Sequence, residues 1–352
     1  MKRQTTEKKI IDLKHLPFII SILAILAIIY DLGFKHQPNE QDFLQMMYFF
    51  ALFLEFLSII ARYIYQNTRP KLNVLPFDFL LLIFLFILIS LQFEIIESPF
   101  SFFYFLKRKG WIYLALFFVF IRELSSSRIN FRRMSMNPAQ LFIISFLMII
   151  FAGVCVLLLP NATHTSISII DAIFTSTSAV CVTGLVVVDT GSFFTEFGQF
   201  AIIILVQLGG IGIMTFTSYF SYFFKAGSSY ENQLLLSAMT NTEKISEVFS
   251  TLKRIILITF LIEGIGALLL FQSLDKATIP DFTERVFFSV FHSISGFCNA
   301  GFSTLQNSFY EPAYRLNYPL HLIIAFLIII GGLGFPIVFN LLNYLKNYLK
   351  IL

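Results

Sequence analysis

Phe174-Thr-Ser-Thr-Ser178-Ala-Val-Cys181-Val-Thr-Gly184-Leu185 and Phe291-His-Ser-Ile-Ser295-Gly-Phe-Cys298-Asn-Ala-Gly301-Phe302 are two versions of one phrase. Phenylalanine, two serines, cysteine and glycine recur at one spacing, Gly301 standing 117 residues after Gly184 and Cys298 the same distance after Cys181. A glycine cluster echoes further on, Leu208-Gly-Gly-Ile-Gly212 returning as Ile330-Gly-Gly-Leu-Gly334 at a spacing of 122. Each unit reads as a span, a short Ser/Thr-rich segment, a glycine-containing turn and a second span opening on the glycine cluster. An internal repeat of this kind outranks single motifs, because it fixes the architecture before any chemistry is assigned.

Working outward, the flanks are strongly apolar. Of 352 residues, 57 % are hydrophobic and 13 % charged, with 45 phenylalanines. Soluble domains carry about 25 % charged residues, so this composition could not cover a globular surface. It predicts an all-α polytopic membrane protein. About 20 apolar residues cross a bilayer as a helix, and the runs 16–32, 43–61, 76–93, 138–159, 197–224, 255–272 and 320–342 qualify. A weaker run at 99–121, interrupted by Lys107-Arg108-Lys109-Gly110, brings the expectation to eight spans. The first follows a basic segment, lacks a small-residue cleavage site and is read as an uncleaved anchor. Cys155, Cys181 and Cys298 lie in apolar stretches and give neither a disulfide framework nor metal-ligand spacing.

Orientation follows from lysine and arginine. Alternate loops counted from the N-terminus hold 18 of the 25 basic residues and the opposite set 7, which places the N-terminus in the cytoplasm. Lys107, Arg108 and Lys109 are the awkward members of the outer set. The expected organisation is a four-span region at 1–137, a first span–pore loop–span unit at 138–224, a cytoplasmic linker at 225–254, a second unit at 255–345 and a tail at 346–352.

Residues 167–180 and 284–296 are too short to cross hydrocarbon as helices. Both enter from the outer side and return there. Non-helical backbone at membrane depth survives only where protein buries it or it lines a watery cavity. A re-entrant helix ending in an extended turn is the geometry of an ion filter, in which main-chain carbonyls replace the hydration shell of a cation. On this reading Val182, Thr183, Gly184 and Leu185, with Asn299, Ala300, Gly301 and Phe302, are the ion-binding residues. Glycine permits the φ values that align successive carbonyls. The negative ends of the short helices favour cations. Neither filter segment contains a carboxylate, so selection by backbone is preferred to a ring of charged side chains. Ser176, Ser178, Ser293 and Ser295 are expected to satisfy backbone groups where the short helices stop.

These residues resemble the membrane subunits of the Trk/Ktr/HKT potassium-transporter superfamily (TrkH/KtrB-like). The resemblance rests on Thr177–Leu185, Phe291–Phe302, Asp189-Thr190, Asn137-Pro138-Ala139-Gln140 and the Gly-Gly-x-Gly clusters, and it covers about 138–345. It implies four span–pore-loop–span units around one K⁺ pathway, with Gly184 and Gly301 as the filter glycines of the first two. It further implies K⁺ as the transported ion, no cofactor in the chain, a multi-pass location in the plasma (inner) membrane, and a homodimer of the complete protein. A cytosolic nucleotide-binding regulatory ring would dock on the 225–254 segment. Only two of the four units are present, so the chain is expected to be part of a longer transporter. Two copies building one pore is the other arrangement.

Other polar residues have a bland reading beside the sharp one. Glu263, inside a span, is a functional candidate by default and equally a structural partner for a pore-helix hydroxyl or for His292. His292 reads as a hydrogen-bonding anchor behind the filter. Asp171, Asp189 and Asp281 fall at the outer mouth, where they would either concentrate cations or sit in solvated loops. The glycine clusters suit close helix approach. A secondary transporter with broken helices would show inverted repeats, whereas these two units run in the same sense. His-Glu-x-x-His and phosphate-binding loops are missing, so an intramembrane enzyme fits poorly. Nothing in the charge pattern points to nucleic acid. The first four spans carry no assignable motif.

Overall fold

A computed structural model describes residues 2–65, 75–92, 108–126, 138–225, 243–335, 337–341 and 344. The chain divides into two compact units, Met1–Ser135 and Met136–Leu352. Every regular element among the described residues is helical. Large apolar side chains face outward along the helices: Met46 is 72 % exposed, Phe151 71 % and Leu322 70 %. Water would penalise such a surface at about 25 cal/mol per Å²; a bilayer does not.

The first unit contains α1 (Lys2–Gly33), α2 (Pro38–Tyr65), α3 (Leu75–Gln92) and α4 (Lys109–Ser126). Its core is built from Leu52, Ile59, Leu85, Leu116 and Val119, each almost wholly buried. Of the run expected at 99–121, residues 99–107 lie outside the described residues, and the described helix runs on to Ser126. Lys109 opens α4 instead of interrupting a helix, and the Lys109 ammonium lies 4.0 Å from the Asp31 carboxylate at the end of α1. A basic residue on the side that the lysine and arginine count disfavours is thus matched by a local acid.

The second unit holds the repeat. Its first half comprises α5 (Pro138–Leu157), α6 (Ile169–Val180), the single turn α7 (Thr190–Phe193) and α8 (Glu196–Lys225). The second half comprises α9 (Glu243–Ser273), α10 (Phe282–Phe297) and α11 (Tyr318–Leu333). α6 is wedged between α5 and α8, as α10 is between α9 and α11. Twelve and sixteen residues give helices of about 18 and 24 Å at 1.5 Å per residue, short of a hydrocarbon core of about 30 Å. Leu16–Gly33, Pro38–Ile64, Glu196–Thr215 and Leu252–Ser273 are long and apolar enough to cross it; Leu75–Leu91, Phe142–Leu157 and Tyr318–Leu333 are apolar but shorter in the described residues.

Two expectations about the later spans are corrected. The glycine clusters do not open them: Gly209, Gly210 and Gly212 lie inside α8, and Gly331 and Gly332 end α11. The 320–342 run is not one uninterrupted helix, because Gly334 closes α11 at φ 77° before helix resumes. Part of the expected linker, 226–242, and the tail at 346–352 lie outside the described residues.

Candidate functional site

Both short helices begin by capping. Ser168 caps α6 by accepting the Asp171 amide at 3.1 Å, and Asp281 caps α10 by accepting that of Glu284 at 2.8 Å. Asp189 does the same for α7, accepting from Ser192 at 2.7 Å. Of the aspartates expected at an outer mouth, Asp189 and Asp281 cap helix starts, where carboxylates satisfy free amides and the macrodipole, and Asp171 accepts from the Ser168 hydroxyl in the first turn of α6. Beside the α10 helix, Tyr314 is buried and stacked on Phe288. Burial, then the Glu311 and Glu284 carboxylates, push its phenol above the ordinary range.

Both helices also end identically. At the end of α6 the Thr183 amide donates to Ser178 O at 2.8 Å and the Val182 amide to Ala179 O at 3.2 Å. At the end of α10 Ala300 donates to Ser295 O at 2.8 Å and Asn299 to Gly296 O at 3.0 Å. This 6→1 plus 5→2 pair is a Schellman stop, with Cys181 and Cys298 as C-caps. The stop requires a left-handed residue next. Val182 takes φ 54° and Asn299 φ 60°, followed after one residue by Gly184 at 76° and Gly301 at 75°. Thr183 and Ala300 between them have no positive φ. Alternation in the sign of φ is a backbone pattern that lets successive carbonyls turn toward one side of the chain. Asparagine tolerates the left-handed region; for a β-branched valine it is an outlier, a strain of about 1–3 kcal/mol held by its surroundings.

The two turns meet. A Cβ on Gly184 would collide with the Ala300 carbonyl oxygen, and one on Gly301 would lie 3.8 Å from Gly184 Cα. The backbones touch where no side chain intervenes.

Behind the turns, the repeat extends to the supporting contacts. Ser176 donates to Ile150 O at 2.8 Å on α5, and Ser293 to Glu263 O at 2.7 Å on α9. These hydroxyls tie each short helix to the preceding span and not to its own end, contrary to expectation. Gly153 and Gly266 lie directly under them: a Cβ at either would strike the Ser176 or Ser293 hydroxyl. Likewise a Cβ on Gly209 would strike Val180 O, and one on Gly331 would strike Phe297 O. The glycine clusters thus let each following span pass close to the last turn of its short helix.

The second turn has further anchors. Ser295 donates to Phe302 O at 2.6 Å. His292 Nδ1 lies 2.9 Å from Phe288 O, an acceptor only, so this nitrogen carries the proton. Its Nε2 then accepts from the Ser303 hydroxyl at 3.0 Å and the Thr304 amide at 3.4 Å. With its amide oriented to satisfy both neighbours, Asn299 donates to Ile328 O at 3.2 Å and accepts from Gly332 N at 3.1 Å. A cavity of about 250 Å³ opens beside this turn between His292, Ser295, Phe302, Phe309 and Ile328. Ser178, the counterpart of Ser295, has its hydroxyl buried with no partner among the described residues.

Glu263 does not reach His292. Its carboxylate accepts from Gln207 Nε2 on α8 at 3.0 Å and faces Cys298 Sγ at 3.8 Å, so it braces α8 against the end of α10. Sequence reasoning missed Gln207, although an amide in an apolar span facing a carboxylate one span away was a usable signal. Among the described residues no group of three His, Cys, Asp or Glu could hold a metal ion.

These contacts give a test. Gly209→Ala and Gly331→Ala each press a methyl onto a backbone oxygen and are expected to cost about 1–3 kcal/mol. Gly264→Ala, with nothing within 4 Å, should cost nothing measurable. Thermal unfolding of the three variants in detergent ranks them; equal stability would show that the close approach is not needed.

Comparison with known proteins places this geometry in a family. Residues 110–350 match the TrkH family model, described as cation transport protein. The match begins earlier than the motif-based resemblance and takes in nearly all of α4. The chain is 36 % identical over 216 residues to the potassium/sodium uptake protein NtpJ of Enterococcus hirae, covering 60 % of this chain and 47 % of that protein. It is 38 % identical over 207 residues to the Ktr system potassium uptake protein B of Bacillus subtilis, covering 59 % and 46 %. With the corresponding protein of Vibrio alginolyticus it shares 35 % over 202 residues, covering 56 % and 43 %. The chain spans about half the length of the curated relatives it matches. With a doubled short helix, a doubled left-handed stop and a family match over most of its length, this chain belongs to the TrkH cation transport family.

Proposed function

We propose that the chain forms part of a K⁺ uptake pathway in the plasma membrane, with its N-terminus in the cytoplasm. The carbonyls of Val182, Thr183, Gly184 and Leu185 and of Asn299, Ala300, Gly301 and Phe302 line the path of the ion. The observation that carries this is the paired alternation of φ at 182–184 and 299–301, in two turns that touch at Gly184 and Ala300. Oxygens held on one side of the chain can replace a cation's water without a charged side chain. Ser295 and His292 hold the second turn from behind, Glu263 braces it from below, and Ser178 faces the first.

Inward movement of one positive charge gains about 2.3 kcal/mol per 100 mV of membrane potential, which suffices to concentrate the ion. Equivalent contacts in the same chain order in both halves argue against the inverted repeats of a secondary transporter. The relatives named as Ktr system proteins support a multi-component assembly, here a homodimer of the full protein on a cytosolic nucleotide-binding ring. Radioactive rubidium uptake into potassium-loaded liposomes containing the full chain tests the reading. Uptake should be suppressed by external K⁺ at concentrations where Na⁺ and choline have little effect. Equal suppression by Na⁺ overturns the K⁺ preference. No uptake above protein-free vesicles overturns the pore.

A further inference from the structure

The N-terminal bundle contains a charge arrangement for which the pore has no use. On α2, Tyr48, Glu55 and Arg62 recur every seven residues and so share one helix face. That face is turned inward: Tyr48 is 2 % exposed and Glu55 1 %. Toward one end of the bundle, Arg122 grips both oxygens of Asp78 through Nε at 3.0 Å and Nη2 at 2.9 Å, and its Nη1 donates to Glu123 at 2.9 Å. Arg62 donates to the other Glu123 oxygen, and the Tyr63 hydroxyl to Asp78 at 2.7 Å. Toward the opposite end, Asp31 accepts from Tyr48 at 3.2 Å and from Tyr113 at 2.6 Å, with Lys109 at 4.0 Å.

Glu55 lies between these clusters, and neither of its oxygens has a hydrogen-bond partner among the described residues. The charges that act on it are Glu123 and Arg122 from α4 and Arg62 from its own helix. From α3 the buried polar groups are Asp78, already held by Arg122, and Ser90. From α1 they are Ser21, which donates to Phe18 O of its own helix, and Asp31 at the far end. Among the described residues, two guanidiniums therefore face two carboxylates that they already engage, and Glu55 is one acid in excess. Ionised, it would leave an uncompensated negative charge beside Glu123 in the middle of a membrane-spanning bundle, which is costly.

We propose that Glu55 is a proton-binding site, independent of the pore reading. Its carboxyl carries a proton at neutral pH, and the described charges around it are then balanced. Release breaks the carboxyl O–H bond and passes the proton to hydroxide or a buffer base. The carboxylate left behind competes with Glu123 for Arg62, one step of seven residues away.

Infrared difference spectroscopy on the full chain in liposomes, stepped from neutral to alkaline pH, reads the C=O stretch of a protonated carboxyl directly. The wild type should show a band at neutral pH that Glu55→Gln lacks, and that fades as the pH rises. Identical carboxyl regions in the two proteins would overturn the proposal. If Glu55→Gln fails to insert, Glu123→Gln serves in its place. It frees Arg62 to pair with Glu55, which then ionises, so the band should be lost although Glu55 is intact. Its persistence at wild-type intensity assigns the band elsewhere and overturns the site.

Discussion

Replacing Gly184 by valine should lower cation uptake about 100-fold while leaving membrane insertion unchanged. Two penalties combine at this position. A β-branched residue at φ 76° is strained, and its Cβ would collide with the Ala300 carbonyl. Neither penalty is easily relieved, because the obstructing atom is main chain and not the end of a flexible side chain. At about 1–3 kcal/mol for the backbone strain and a similar amount for the clash, even the lower part of the combined range costs roughly two decades of rate at about 1.36 kcal/mol per decade. The variant should also discriminate poorly between K⁺ and Na⁺ in whatever flux remains, since the Ala300 oxygen is the group displaced. Rubidium flux with K⁺ and Na⁺ competition measures both quantities. Wild-type flux and preference in Gly184→Val would falsify the placement of these carbonyls on the ion path.

The second large effect belongs to the N-terminal bundle. Arg122→Met removes the bidentate partner of Asp78, which is 2 % exposed, and leaves it, among the described residues, the Tyr63 hydroxyl as hydrogen-bond donor. Breaking one side of a buried ion pair costs about 3–5 kcal/mol, because a charge remains in low dielectric. Pairing the change with Asp78→Leu removes that charge and should recover most of the loss. The coupling in the double-mutant cycle then approaches the single-mutant cost. Detergent melts of wild type, both single variants and the double variant read it out. Additive losses would show that the two residues do not act as a pair.

Much of the fold was legible because hydrophobic run length and the repeat are both direct physical signals. The short helices emerged at Ile169–Val180 and Phe282–Phe297, against the expected 167–180 and 284–296. Each was too short to span and carried a capping residue at its start. In the fourth span Lys107-Arg108-Lys109 read as an interruption, and the Asp31 carboxylate that Lys109 approaches is 78 residues away in sequence, so no local pattern links the two. The glycine clusters were given the right purpose and the wrong position. Apolarity marks a span, but it does not say at what height a neighbouring helix will press against it.

At the site, the matched glycines were visible and the left-handed stop two residues earlier was not. Asn299 at such a stop is an ordinary choice, but Val182 disguises its equivalent. Only the shared spacing from Cys181 and Cys298 could have exposed it. The Gln207–Glu263 brace and the Glu55 surplus were hidden for a common reason. Each depends on which faces of different helices are turned together, and helical periodicity alone does not supply this.

The contacts that duplicate the two halves do not share one spacing. Gly153 and Gly266 stand 113 residues apart, Ser176 and Ser293 117, and Gly209 and Gly331 122. The second half therefore carries four extra residues between its leading span and short helix, and five more before the next contact. The shared geometry survives both insertions, so the connecting segments act as slack in the chain. Pro312 and Ala313, exposed in the longer of these connections, offer a place to graft a peptide epitope. An antibody fragment raised against that graft would report sidedness in intact cells without touching either turn.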